Sequence, residues 1–170
     1  MSALTDLNFS SNSIKGSQGP IEFFKAIGSC GRYIQRIRIK CCNFGSIDSA
    51  TFEESFKECF QQLTSLTSLN LSYTNLTDGL IKSLADSVGS LSSIEKINLK
   101  HTNITHESID VLLDKISSNA DSATITSLNL SGNSMAGVTK LGKFLSRNNS
   151  SGKLTQLKLS ACKIGDAELQ

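Results

Sequence analysis

Apolar residues along this chain fall into two alternating rhythms. The first is short. In "LTSLNLSYTNL", leucines stand at 66, 69, 71 and 76 with polar residues in every gap. The second is longer: Phe52, Phe56, Cys59, Phe60 and Leu63 recur at intervals of three and four. Apolar–polar alternation is what a strand with one buried face needs, and the three-to-four spacing is what a helix with one buried stripe needs. The two rhythms take turns along the whole chain.

The short rhythm occurs six times. Besides the stretch above, with Thr74 in its ninth place, it reads Leu4, Leu7, Phe9, Asn12, Ile14, then Ile34, Ile37, Ile39, Cys42, Phe44. Later come Ile94, Ile97, Leu99, Thr102, Ile104, then Ile125, Leu128, Leu130, Asn133, Met135, and last Leu154, Leu157, Leu159, Cys162, Ile164. The first positions lie 30, 32, 28, 31 and 29 residues apart. Strands so far apart cannot pair as hairpins, so they are expected to stack in parallel with a crossover between each pair. The longer rhythm fills the crossovers and predicts helices: Phe23, Phe24 and Ile27 after Pro20; the Phe52 group; Leu80, Leu84, Val88 and Leu91; Ile109, Leu112, Leu113 and Ile116; and Leu141, Phe144 and Leu145. Pro20 suits a first helical turn. Thr77 or Asp78, and Thr105, stand where N-caps belong. The run from Asn148 to Gly152 reads as a loop ending the last helix.

At the ninth place the chain leaves the strand, and its buried backbone groups need partners. The residues there, Asn12, Cys42, Thr74, Thr102, Asn133 and Cys162, are small and can hydrogen-bond. Stacked, they are expected to form a ladder that satisfies the turns of neighbouring repeats. Cys42 and Cys162 are thereby structural.

Six copies of L-x-x-L-x-L with near-constant pitch identify the chain as similar to leucine-rich repeat proteins. Repeats of 28 to 32 residues with a full helix resemble the ribonuclease-inhibitor-like class. That resemblance implies an α/β solenoid, a horseshoe with about six parallel strands on its concave face and helices on its convex face. It covers residues 1–170 as a single domain, with repeats starting near 4, 34, 66, 94, 125 and 154. The stretch "ITSLNLSGNSMAG", Ile125 to Gly137, also looks like the repeats of effectors that intracellular bacteria inject into host cells. Terminal repeats normally carry polar caps. None precedes residue 4, and Gln170 falls where a sixth helix would begin. The expectation is a piece of a longer chain, or a last strand that pairs with another copy.

Charge matters once it is placed on this frame. The net charge of +2 says little. The outward positions around the strand leucines, however, collect Arg36, Arg38, Lys40, Lys96, Lys100 and Lys158 against the one acid Asp6. The concave face is therefore about +5 and the remainder about −3, a sign asymmetry that steers an acidic partner. Tyr73 lies between the basic strands, and an aromatic among cations is the composition of an interface centre. The expected binding patch is Arg36, Arg38, Lys40, Tyr73, Lys96, Lys100 and His101, and the expected partner is a protein with an acidic surface. Solvated strand faces also favour long polar side chains, so part of this excess needs no partner.

Other chemistries find little support. Two histidines, His101 and His106, are available as bases. His101 is two strands from Cys41, roughly 10 Å at the usual strand spacing and too far for a nucleophile pair. No Cys/His spacing or glycine run matches a zinc or phosphate motif, so no metal, cofactor or catalytic residue is assigned. Nucleic acid is disfavoured because the basic residues skip the third repeat, and Glu53, Glu54, Glu58, Asp110 and Asp114 stand nearby. No apolar run reaches the length of a membrane helix. The start lacks the segments of a signal peptide. Five cysteines, an odd count without a C-x-x-C pair, point to reduced thiols and a cytosol-like compartment, the host cytosol for an injected protein. The sequence thus favours a non-catalytic protein-binding module. Ran GTPase-activating proteins have similar helical repeats, which leaves an enzyme regulator as one alternative, though no residue carries over. The recognition part of a larger multidomain protein is another.

Overall fold

The computed structural model of the chain describes residues 4–14, 16–42, 44, 50–118, 124–151 and 153–165. Strand and helix alternate in the order β1 (Asp6–Asn8), α1 (Gln18–Ser29), β2 (Arg36–Arg38), α2 (Ala50–Gln62), β3 (Ser68–Asn70), α3 (Asp78–Ser87), β4 (Lys96–Asn98), α4 (His106–Ser118), β5 (Ser127–Asn129), α5 (Leu141–Ser151) and β6 (Gln156–Lys158). The strands form one parallel sheet in chain order. Leu7, Ile37, Leu69, Ile97, Leu128 and Leu157 are direct partners along it, so equivalent leucine positions occupy successive rungs.

Each strand is only three residues long, yet pairing continues past it. Ile39, Leu71, Leu99 and Leu130 donate their N–H groups to the Asn70, Asn98, Asn129 and Lys158 carbonyls of the following repeat at 2.9–3.0 Å. Two residues on, the backbone turns. Ser11, Cys41, Tyr73, His101, Gly132 and Ala161 all adopt positive φ, between 50° and 75°. Five of their N–H groups meet the next repeat: Ser11 bonds Lys40 O, Cys41 bonds Ser72 O, Tyr73 bonds Lys100 O, His101 bonds Ser131 O and Gly132 bonds Ser160 O, at 2.7–3.1 Å. The left-handed turn aims these donors along the stack, and five of the six residues adopt it without being glycine. Such a conformation costs on the order of 1 kcal/mol for a residue with a Cβ. Repetition of the same bond is what holds it.

The following residue closes the turn from inside. Cys42 Sγ lies 3.5 Å from Phe9 O, and Thr74 Oγ1 donates to Ile39 O at 2.7 Å. Asn133 Nδ2 bonds both Leu99 O and Leu130 O, at 2.7 and 2.9 Å, while its Oδ1 accepts from Thr102 N at 3.0 Å. Cys162 Sγ reaches Leu130 O at 3.4 Å. Thr102 differs, donating to Leu99 O of its own repeat at 2.8 Å. Asn12 is exposed, and its side-chain amide bonds carbonyls of its own turn, Phe9 O and Ser10 O.

Between sheet and helices lies one continuous core. Its first half is aromatic: Phe24 packs on Phe56 at 4.8 Å and Phe44 at 5.6 Å, and Phe56 on Phe60 at 4.7 Å. From the third repeat on it is largely aliphatic, built of residues such as Leu80, Leu84, Leu112 and Leu113. At the flanks the seal is looser. Leu4 is 51% exposed, and Leu7, Phe9, Leu154 and Leu157 are only partly buried. Leu145, expected on the buried stripe of α5, is exposed.

Helix starts follow two schemes. Thr77 caps α3, its Oγ1 accepting from Leu80 N at 3.2 Å. At α4 a carboxylate from the preceding repeat serves: Asp78 Oδ1 accepts from Thr105 N at 3.2 Å and Ser108 Oγ at 2.6 Å. Burial alone would raise the Asp78 pKa, but the bonds from Ser108 and Thr105 outweigh it and hold the carboxyl below its ordinary value. Asp110 likewise receives Thr139 N and Lys140 N ahead of α5. At the other end, α5 runs through Ser151, so Asn148 to Ser151 are helical rather than a loop, and Gly152 lies outside the described residues. Helix ends are the least sharply encoded points of such a pattern.

Asn133 and Asn12 hold the same place in the repeat but differ in burial. Asn133→Ala, which orphans buried backbone groups, is expected to lower unfolding free energy in urea by about 2 kcal/mol. Asn12→Ala, at an exposed turn, is expected to change it by under about 0.5 kcal/mol.

Candidate functional site: the concave face

Side chains that alternate with the strand leucines point away from the core, and the register sorts them into rows across the sheet. Asp6, Arg36, Ser68, Lys96, Ser127 and Gln156 form one row. Asn8, Arg38, Asn70, Asn98, Asn129 and Lys158 form the next. Arg36, Arg38, Lys40, Lys96 and Lys100 are therefore on the face that holds the strands, but they do not share one environment.

The two arginines converge on Asp6. Arg36 Nε bonds Asp6 Oδ2 at 2.9 Å, and an Arg38 Nη lies 2.9 Å from Asp6 Oδ1 as an ion pair without hydrogen-bond alignment. The Arg36 bond is the chief cause that holds the Asp6 carboxyl below its ordinary value. Repeats 1 and 2 thus carry a partly neutralised cluster. Lys40, Lys96 and Lys158 form no ion pair among the described residues, so the free cations are Lys40 just beyond β2 and Lys96 and Lys158 farther along the sheet.

Tyr73 and His101 stand at the rim, in the left-handed turn just beyond β3 and β4, and not on the strands where the alternation put them. Their rings stack at 5.0 Å with an interplanar angle of 23°. Lys100 Nζ is 5.3 Å from the centre of the Tyr73 ring, within cation–π range. On the other side of His101 comes Gly132, where an added Cβ would collide with the imidazole ring. The missing side chain at 132 is therefore the space His101 occupies. Tyr73, 48% exposed, is the large apolar surface of this rim. His101 makes no hydrogen bond to a hydroxyl or thiol among the described residues. His106 is the first residue of α4, 3.3 Å from Glu107 Oε1.

Two hollows lie on opposite sides of the solenoid, one on the strand face and one on the helix face. One of about 190 Å³ runs across β3 to β6, between Asn70, Asn98 and Asn129 and beside Lys96 and Lys158. A larger one, about 580 Å³, lies between α1 and α2 and mixes Lys25 and Arg32 with Glu58, so it matches no single ligand charge. Among the described residues no group of three His, Cys, Asp or Glu is placed to hold a metal ion, and no helix is long and apolar enough to cross a membrane.

The missed residues were Lys158, which the patch omitted, and the Asn row. The recurring asparagine before the second leucine was visible in the sequence, but its hydrogen bonding was not.

A single sheet of parallel strands, each returned by a convex helix, defines an α/β solenoid of the horseshoe class. A family model described as Leucine Rich repeat matches residues 62–85. Among solved structures, an internalin from Listeria monocytogenes aligns with a TM-score of 0.50 at 17% identity, over 98% of this chain and 46% of the internalin chain. This chain thus spans about half the length of that relative, and the likeness is one of fold. No curated protein sequence matches it. Residues 62–85 thus match a leucine-rich repeat model, and the chain has the fold of a leucine-rich repeat solenoid. Such solenoids serve generally as protein–protein interaction modules and are typically non-catalytic.

Two outcomes are expected from this geometry. Gly132→Ala, which puts a Cβ at positive φ into the imidazole, is expected to cost about 1–2 kcal/mol and to unstack His101 from Tyr73, seen as a change in ring-current shifts by NMR. The Asp6 pairs contribute stability above the ordinary carboxyl pKa of 3.8, and that contribution is lost as pH falls through the lower folded value. Asp6→Asn is therefore expected to flatten the acid limb of the unfolding profile, measured by circular dichroism against pH.

Proposed function

We propose that the chain is a non-catalytic docking module that holds an acidic protein through its concave face. The observation that carries this is the spatial division of charge: cations free of ion pairs, Lys40, Lys96 and Lys158, share a face with the stacked Tyr73–His101 pair and Lys100. Unpaired surface cations raise the encounter rate with an opposite charge, and a preordered aromatic pair supplies contact area at little entropic cost. Six strands about 4.8 Å apart make a sheet roughly 25 Å across, wide enough for the roughly 800 Å² per partner of a standard interface. Arg36 and Arg38 belong to the patch as the rigid edge set by Asp6. The likeness of Ile125–Gly137 to effector repeats extends the reading to a host-cell partner. Free cysteines in the core and turns, Cys42, Cys59 and Cys162, favour a reducing compartment.

Reversal of Arg36 or Arg38 would set new carboxylates beside Asp6 and confuse binding with folding. Lys40, Lys96 and Lys100 avoid this. The variant K40E/K96E/K100E is expected to keep its circular dichroism spectrum and melting cooperativity while losing capture of the main partner from lysate at least tenfold. Undiminished capture by a folded variant would sink the proposal.

A further inference from the structure

Across the middle of the sheet one row of side chains is rich in unused hydrogen-bond donors. Asn70 Oδ1 accepts from Ser72 N, Asn98 Oδ1 from Lys100 N, and Asn129 Oδ1 from Ser131 N, each at 3.0 Å. Each bond ties one lone pair of the carbonyl oxygen to the chain's own backbone and thereby orients the amide. The Nδ2 groups remain, and they form no hydrogen bond among the described residues. Arg38 precedes the three asparagines in the same row and Lys158 follows them, and both are donors without acceptor capacity. Asn70, Asn98, Asn129 and Lys158 line the hollow of about 190 Å³, with Lys96, Ser68, Ser127 and Gln156 alongside. The unused amide donors and the two lysines favour an occupant that presents acceptors, charged ones best.

Spacing narrows its shape. Adjacent strands place the three amides at about 0, 4.8 and 9.6 Å along the row. An α-helix rises about 1.5 Å per residue, so carboxylates at i, i+3 and i+7 stand on one face at about 0, 4.5 and 10.5 Å. Flexible Glu side chains absorb the remaining difference of about 1 Å. An extended segment repeats its same-face side chains at about 6.6 Å and loses register after one strand. We propose that the asparagine row of β3, β4 and β5 seats the acidic face of a partner helix lying across the strands, with carboxylates on the Asn70, Asn98 and Asn129 amides and on Lys96 and Lys158. This rests on the concave-face reading above and specifies the partner's shape.

Asn→Asp isolates the donor, because Asp keeps the oxygen that accepts from the backbone and replaces only the amide. The probe is a synthetic alanine-rich helical peptide with Glu at i, i+3 and i+7. Its control has the same composition with Glu at i, i+2 and i+5, spread around the helix. Binding to the full chain is measured by fluorescence anisotropy at near-physiological salt. The registered peptide is expected to bind at least tenfold tighter than its control. N98D is expected to weaken it about tenfold. N8D, in the same row but outside the hollow and with the same added charge, is expected to stay within twofold. Equal affinity of the two peptides, or equal loss on N8D and N98D, would overturn the proposal in favour of unspecific charge attraction. No detectable peptide binding would also overturn it, as would a heparin oligosaccharide that binds the row while the helix does not. If the peptide fails while K40E/K96E/K100E still loses capture, the row is wrong and the face reading stands. If that variant keeps capture, the face reading itself has failed.

Discussion

Backbone polar groups that leave a strand inside a packed stack must find partners, and in this molecule the next repeat supplies them. The left-handed turn after every strand exists to make that connection. Its N–H points along the solenoid to the neighbouring carbonyl, from Ser11 through Gly132, while Cys42, Thr74, Asn133 and Cys162 reach back to carbonyls of the repeat before. An unmade bond there would cost more than the strain of the turn. Each repeat therefore needs a neighbour in register, and that requirement, with burial of the leucines, sets pitch, sheet order and the alignment of the outward rows.

The same constraint shapes the face available for binding. Because the turns repeat, side chains that share a place in the sequence repeat share a row in space, and chemistry accumulates by row. One row gathers amides and cations. The turn column gathers Tyr73, His101 and Gly132, where a residue without a side chain makes room for the ring of its neighbour. Position in the stack then modulates the result. Asp6, on the first strand, draws in Arg36 and Arg38, whereas Lys96 and Lys158 keep their charge for solvent or a partner.

Helix capping shows the same coupling between repeats. Asp78 and Asp110 belong to one helix each and satisfy the entry of the next. Local rules placed polar residues at helix starts, and Thr77 obeys them within its own repeat. Thr105 stands at the expected place, but the acceptor comes from 27 residues earlier. Leu145 departs in the other direction, since helical spacing alone put it on a stripe that α5 leaves exposed.

Periodicity by itself determined the fold: six parallel strands, the helices between them, and the register that aligns Leu7 with Ile37, Leu69, Ile97, Leu128 and Leu157. It could do so because burial of alternate side chains is a local condition written afresh in each repeat. Only the tertiary structure decided which charges are neutralised, that Tyr73 and His101 form a stacked rim, and that three asparagines leave their amide donors unused. Those outcomes depend on contacts between residues about 30 positions apart or on backbone conformation at a turn, and no local pattern of apolar and polar residues encodes either.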